Sequence, residues 1–412
     1  MDIGIALFTY CRPIHTKRVL ESLKDNNFTK VYIFQDGLKS ETDTSQWEEV
    51  NRLIMDYAEK AEIHVSKSNK GLANSVVDGL NYVFQHHECA IALEDDMILG
   101  RGYDVFMRQC FEKYKNTSEV SCIAGGGWPA EISEGYPYDV FFTYRSSSAA
   151  WGTWRNRWEK YNRDFQTVRK IWTDPELRER LIKSGNDLRQ IINAQLWGEC
   201  DSWAVFWSLL QIESKGVCVL PVRYLAQDIG HDGVHGTNSV ARTSRYDTEL
   251  YNWDPKKELK FPTHIFLDEA INQQIKMILD ISDSSHRNEC MQRLYKKWVC
   301  FHQTGSDVGG VLRKSDVETI YIYGDGEAAE ILLNELQEKI KVKGIIVLDK
   351  KRDFYKNIPV FEIRDNVLQS QDIVIVTPIH DIEYIRFSLK NTGCKVISLE
   401  AILNKGDNLI ET

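Results

Sequence analysis

Apolar residues recur along the first hundred positions in two alternating rhythms. Ile3–Thr9 is a nearly continuous apolar run, as in a strand buried on both faces, and Thr16–Leu23 has helical spacing. Val31–Phe34 is a second strand that runs into Gln35-Asp36-Gly37. Gln46–Ala61 is long and amphipathic, Ile63–Val65 is a third short strand, and Ala73–Phe84 places Val76, Val77, Leu80 and Val83 at helical spacing. Ala90–Leu93 is a fourth strand, and Glu94-Asp95-Asp96 follows it at once. This βαβαβαβ alternation predicts an α/β fold with a mostly parallel, Rossmann-like sheet. Ligands of such sheets sit beyond the carboxyl ends of the strands.

The texture then changes. Residues 100–245 are rich in tryptophan and in Gly and Ser clusters, which reads as a second lobe of the same domain. Residues 246–312 hold two helical stretches, Asp268–Leu279 and His286–Val299, and a linker composition at Gly305–Gly310. From Ser315 a new βα series starts: Thr319–Tyr323, Ala328–Gln337, Val342–Leu348, Asp372–Thr377, Ile382–Asn391 and Cys394–Leu399. The expected organisation is therefore a first domain over 1–245, a helical linker region over 246–312 and a small Rossmann-like domain over 313–412. A length of 412 residues agrees with two or three domains at roughly 150 residues each.

Charge narrows the partners. Lys plus Arg is 51 against 60 for Asp plus Glu, a net of −9, which disfavours a nucleic-acid coat and points to small molecules. Nine cysteines, widely spaced and without a CxxC pair, argue against a disulfide framework and a zinc cage, and for a reducing cytoplasm. The chain opens Met-Asp-Ile-Gly and enters a strand, so no cleavable leader is expected. No apolar run approaches the roughly 18–20 residues that span a bilayer. Peripheral membrane contact is left to one stretch, His286–Val299, with Arg287, Arg293, Lys296 and Lys297 beside Met291, Leu294, Trp298 and Val299. Packing between domains is the plainer role for that helix.

Glu94-Asp95-Asp96 is the strongest chemical signal. Three adjacent carboxylates at a strand end repel one another unless donors or a divalent cation compensate them. Such hard oxygen ligands suit Mg²⁺ or Mn²⁺, which in turn neutralises a diphosphate. Four segments stand in order at strand ends: Phe8-Thr9-Tyr10-Cys11-Arg12-Pro13, Phe34-Gln35-Asp36-Gly37, Asn69-Lys70-Gly71-Leu72 and Leu93-Glu94-Asp95-Asp96. Together they resemble the ordered motifs of GT-A glycosyltransferases over residues 1–240, in particular the inverting N-acetylglucosaminyltransferase I type and its bacterial relatives.

The resemblance implies a GT-A catalytic domain and a UDP-sugar donor. It places Thr9 and Arg12 beside the donor, Arg12 towards its pyrophosphate or nucleobase edge, and Asp36 on the uracil. It places Lys70 and Asn74 at the phosphates, Asp95 at the ribose and Asp96 on the metal, with Glu94 also among the donor-binding residues. Every one of these donor positions precedes residue 100, so removal of residues 315–412 is expected to leave donor binding intact. Inversion also requires a base for the acceptor hydroxyl. Trp197-Gly198-Glu199-Cys200-Asp201-Ser202-Trp203 supplies Asp201 as first choice and Glu199 as second. Asp201 also reads as an N-cap for the helix that continues through Trp207.

Asp228–Asn238 is a Gly-rich loop with His231 and His235, and His235 is the expected metal or diphosphate ligand within it. Trp128, Trp151 and Trp203 are candidate acceptor platforms, because sugar rings stack their C–H faces on aromatic rings. Core packing is the commoner fate of tryptophan. In the C-terminal series, Gly324-Asp325-Gly326-Glu327-Ala328-Ala329 matches a G-x-G-x-x-A dinucleotide pattern, with Asp349 ending the next strand. Docking or oligomerisation fits that short domain better than a bound nucleotide.

The combined expectation is a metal-dependent inverting transferase that moves a sugar from a UDP-sugar to a saccharide or glycan-bearing acceptor in bacterial surface glycan or glycoprotein assembly. A sugar nucleotidyltransferase is the rival enzyme, but it needs a glycine-rich loop after the first strand, where this chain has Thr9–Pro13. A nucleotide-sensing scaffold is the non-enzymatic rival.

Overall fold

Ile3–Thr9 forms β1, and its two-sided apolar pattern puts it near the middle of an eight-stranded sheet. The computed structural model describes residues 2–230, 248–336 and 339–405. The further strands of the first sheet are β2 (Val31–Gln35), β3 (Ala61–Val65), β4 (Cys89–Glu94), β6 (Val120–Ala124), β7 (Val140–Thr143), β8 (Trp151–Trp154) and β9 (Val217–Pro221). Their order is β3-β2-β1-β4-β8-β6-β9-β7. The strands β3, β2, β1 and β4 are mutually parallel, as is the β6–β9 pair, and β8 and β7 run antiparallel to their neighbours. Between β4 and the rest, β5 (Met97–Leu99) pairs antiparallel with β10 (Ala226–Asp228) in a separate ribbon. The fold is thus the α/β class with a mostly parallel sheet.

Alternation along β1 sorts its side chains. Ile5 and Leu7 join Val19 and Leu23 of α1 (Pro13–Lys24) and Phe106 of the helix Tyr103–Tyr114 in one core. Ala6 and Phe8 join Val76, Leu80, Trp151, Trp203 and Trp207 in another. Full burial of each large apolar side chain contributes about 1.5–3 kcal/mol, so both faces of β1 are anchored and its register is fixed. That register sets Thr9 beside Gln35 and Phe8 beside Glu94, which brings the exits of β2, β1 and β4 to one edge.

Two helices depart from the periodicity. The helix expected over Gln46–Ala61 is Thr44–Met55, because Ala61 pairs with Val31 and is claimed by the sheet. The two stretches expected over 268–279 and 286–299 are one helix, Glu269–Gln303. No Gly or Pro interrupts residues 280–285, so nothing in the backbone stops it.

The chain falls into two compact units. One draws on residues up to Ile171, Pro175–Asn186 and Cys200 to Leu279; the other on Trp172–Asp174, Asp187–Glu199 and residues from Asp280 onward. Residues 187–199, read from the sequence as part of the first domain, therefore cluster with the second unit. There Arg189 pairs with Asp381, and Asn193 Nδ2 donates to the His380 carbonyl at 2.8 Å.

The second unit carries a six-stranded sheet. Its strands are β11 (Thr319–Tyr323), β12 (Lys341–Val347), β13 (Phe354–Tyr355), β14 (Ile358–Glu362), β15 (Ile373–Val376) and β16 (Lys395–Ser398), in the order β13-β14-β12-β11-β15-β16. All pairs are parallel except β13–β14. Leu294, Trp298 and Phe301 of the long helix are buried in this unit's core, and Arg293 and Lys297 pair with Glu400. Of the apolar residues expected to touch a membrane, Leu294 and Trp298 are thus covered by protein, while Val299 is 58% exposed. Among the described residues no helix is long and apolar enough to cross a membrane.

Candidate active site

The strand order reverses between β1 and β4, and the acids and their counter-charge meet there. Arg12, just beyond β1, donates from Nε to Asp95 Oδ1 at 3.0 Å, and its terminal nitrogen pairs with Asp95 and with Asp96 Oδ2, the latter at 2.9 Å. Tyr10 N donates to Asp95 Oδ2 at 3.4 Å. Burial alone would lower the Arg12 pKa, but Asp95 and Asp96 outweigh it and hold the guanidinium charged. Burial raises Asp95 above the usual carboxylate range even with Arg12 opposing. Burial, with Asp96 and Asp95 next to it, pushes Glu94 up to about 8 against the pull of Arg12; Asp228 adds to the rise.

The β5–β10 ribbon closes this corner. Asp228 lies opposite Met97, Ile229 N donates to the Asp96 carbonyl at 2.9 Å, and His15 Nε2 donates to the Ile229 carbonyl at 3.2 Å. Gly230 packs so closely that a Cβ there would lie 2.2 Å from Asp96 Oδ2. His231 and His235, the next residues of interest in that loop, lie outside the described residues.

Asp36 does different work from Arg12. It is buried at the end of β2, where Oδ1 accepts from the backbone N–H of Gly37 at 2.8 Å and of Lys70 at 2.9 Å, and Oδ2 accepts from Gly71 N at 2.9 Å. Its carboxylate ties the start of α3 (Leu72–His86) to the sheet. Gly37 is required beside it, since a Cβ would meet the Ser68 carbonyl carbon at 2.2 Å. Thr9 is buried and donates from Oγ1 to the Phe34 carbonyl at 3.5 Å.

From Asp36 a chain of contacts leads outward. Asn74 Nδ2 donates to the Lys70 carbonyl at 2.8 Å, and Asn74 Oδ1 accepts from Arg163 at 3.1 Å. Arg163 pairs in turn with Asp201 and stands over the Phe206 ring at 5.5 Å. The Lys70 ammonium is exposed and pairs with Asp78 at 2.7 Å. A cleft of about 270 Å³ beside these residues is lined by Phe34, Asp36, His64, Lys70, Asp78 and Tyr82.

Asp201 is half exposed and is not the helix cap. Ser202 caps the helix Trp203–Glu213, its hydroxyl accepting from Val205 N at 3.3 Å, which leaves the Asp201 carboxylate to Arg163. Glu199 is exposed and belongs to the second unit, after the helix Asp187–Trp197.

Two of the three acceptor candidates, Trp151 and Trp203, lie in the core. Trp151 is 1% exposed and stacks on Trp203, itself 4% exposed, at 5.1 Å between ring centroids. Trp207 and Trp158 complete that cluster, so neither Trp151 nor Trp203 presents a face to a sugar. Trp128 is half-buried, and its carbonyl accepts from the Tyr224 hydroxyl. Arg163 is the principal residue that sequence reasoning missed. It sits in Tyr161-Asn162-Arg163-Asp164, a polar turn with no periodic signal.

Among the described residues, no three His, Cys, Asp or Glu side chains are arranged as a ready metal cage. One oxygen nevertheless suits a cation: Asp96 Oδ1 is buried without a hydrogen-bond partner among the described residues. Mg²⁺ and Mn²⁺ bound with substrate phosphates need only one or two protein carboxylates, so this donor set fits.

No protein-family model and no curated relative matches the chain. Among solved structures, it is similar to S. aureus TarS 1–349 over 55% of its length, at 11% identity and a TM-score of 0.31, spanning 60% of that chain. It is similar to S. aureus TarS over 55% of its length, at 10% identity and a TM-score of 0.32, spanning 36% of that chain. A third similar structure is the mannosyltransferase PcManGT from Pyrobaculum calidifontis in complex with GDP-Man and Mn²⁺, at 14% identity and a TM-score of 0.30, covering 52% of this chain and 69% of that one. The chain thus spans less than two thirds of either TarS structure. Likeness at this level carries no weight for activity.

Proposed function

We propose that the chain is a glycosyltransferase of the GT-A type, dependent on Mn²⁺ or Mg²⁺, that transfers a sugar from a UDP-sugar to a saccharide or glycan-bearing acceptor with inversion. The observation that carries this reading is the corner between β1 and β4. There a buried carboxylate oxygen of Asp96, without a hydrogen-bond partner among the described residues, lies with the guanidinium of Arg12 at a strand-order reversal. A carboxylate oxygen for a cation and a fixed positive fork are the two groups a diphosphate leaving group needs.

Asp96 would hold the metal, which when bound supplies charge neutralisation to the departing diphosphate. Arg12 pairs with the diphosphate, and Asp36 keeps the loop Asn69–Gly71 in place beside it. Asp201, held by Arg163 and open to solvent, takes the proton of the acceptor hydroxyl as its oxygen attacks the anomeric carbon. The second unit serves docking or self-association rather than nucleotide binding. Its Gly324–Gly326 turn leads into a helix whose first turn carries Glu327 and Glu330, which disfavours a phosphate there. A cytoplasmic site of action in surface glycan assembly accords with this chemistry.

Calorimetry with UDP, with and without Mn²⁺, tests the reading on wild type and Asp96→Ala. Metal-dependent UDP binding and transfer should be lost together in the variant, since the diphosphate charge is left uncompensated. Near-wild-type, metal-dependent UDP affinity in Asp96→Ala would show that the metal is not held there. Release of pyrophosphate instead of UDP would identify a nucleotidyltransferase.

A further inference from the structure

The acids at the end of β4 carry a cation of their own. Arg12 bridges Asp95 and Asp96 with a side chain only 12% exposed. The backbone at Gly230 walls it in, since a Cβ there would lie 2.2 Å from Asp96 Oδ2 and 3.1 Å from an Arg12 terminal nitrogen. Asp96 as a whole is 9% exposed, and its Oδ1 is buried without a hydrogen-bond partner among the described residues. A divalent ion arriving alone at Oδ1 would therefore stand beside a full positive charge that solvent does not screen. We propose that Arg12 is a resident counter-cation that makes the divalent metal and a diphosphate enter the site together. The inference rests on the donor reading above.

The physical argument is one of competing charges. Arg12 pairs with Asp95 and Asp96 without metal, so the unloaded site already holds one positive charge against its carboxylates. Even at the dielectric of water, a unit charge about 5 Å from a divalent ion costs roughly tenfold in affinity. A diphosphate removes that cost by offering Arg12 a second anion, to which a guanidinium binds in a fork. Metal affinity is then low alone and high with diphosphate, and by linkage diphosphate affinity depends on metal to the same factor.

The test is a calorimetric titration of the full chain with Mn²⁺, alone and with saturating UDP, repeated with inorganic pyrophosphate. For wild type, UDP should tighten Mn²⁺ binding by at least about tenfold. Arg12→Gln should bind Mn²⁺ alone about tenfold more tightly than wild type, while the gain from UDP shrinks. Arg12→Lys keeps the charge and loses the fork, so its affinity for Mn²⁺ alone should match wild type. The proposal is overturned if Arg12→Gln takes up Mn²⁺ no more tightly than wild type, or if Arg12→Lys behaves as Arg12→Gln. Should Arg12→Gln fail to fold, the wild-type titration decides: equal Mn²⁺ affinity with and without diphosphate overturns it. If pyrophosphate couples to Mn²⁺ but UDP does not, the counter-cation role stands and the uridine donor is what fails.

Discussion

Asp201 and Arg163 act as a pair. Arg163 gives one nitrogen to Asn74 and another to Asp201, so the carboxylate is held in one orientation without the loss of its exposed edge. A base works in the transition state and does little for the bound donor. Asp201→Asn should therefore leave UDP-sugar affinity near wild type and lower turnover by roughly 10²–10⁴-fold. Arg163→Ala should lower turnover less, and should add nothing in the Asp201→Asn background, because its effect runs through that carboxylate. Steady-state kinetics of the two single variants and the double variant check this. Full additivity would mean that Arg163 acts elsewhere, and an active Asp201→Asn would remove the base. Asp201 stands out in the sequence as an acid between tryptophans; Arg163 does not, because an arginine in a polar turn looks like any exposed cation. The same ambiguity misplaced Trp151 and Trp203, whose spacing suits a core stripe and a sugar platform equally, and only the packing distinguishes them.

At the scale of elements, Asp36 shows how a site residue can be a structural tie. It ends β2, where the apolar run stops, and that position is legible. Its three backbone partners are not, because they depend on how closely Gly37 approaches the loop Ser68–Gly71. Asp36→Ala leaves the N–H groups of Gly37, Lys70 and Gly71 without their acceptor near the start of α3. Each buried group left unsatisfied costs about 1–3 kcal/mol, with water recovering part, so a loss of roughly 3 kcal/mol is expected. Urea denaturation measures it. A variant of unchanged stability but weakened UDP binding would show that Asp36 serves only the donor. The exits of β1 to β4 were readable to within a residue, since each stands at the end of an apolar run; the strands from β5 to β10 had no such expectation. Helix ends were less so: the helix Thr44–Met55 stops early because β2 recruits Ala61, a long-range pairing that no local pattern records.

For the whole molecule, the sequence suggests that residues 315–412 can be removed without harm to the donor motifs, all of which precede residue 100. The two-unit division changes that expectation. Trp172–Asp174 and Asp187–Glu199 cluster with the C-terminal sheet rather than with the first unit. Arg189 and Asn193 find their partners at Asp381 and His380, and Leu294, Trp298, Phe301 and Val308 are buried against Ile320, Leu332 and Ile345. A chain ending at Lys314 loses every one of those partners while keeping the residues that need them. It exposes a contiguous apolar face and leaves the Arg189 charge without its carboxylate. Such a chain should bind a hydrophobic dye strongly and run as aggregates in size exclusion, with donor binding lost as a consequence of misfolding. By contrast, Asp381→Asn in the full chain weakens one ion pair, and should leave the protein monodisperse to the same degree as wild type and metal-dependent UDP binding unchanged. A soluble 1–314 chain without dye binding, melting as cooperatively as the full protein, would show instead that the two insertions do not depend on the C-terminal sheet.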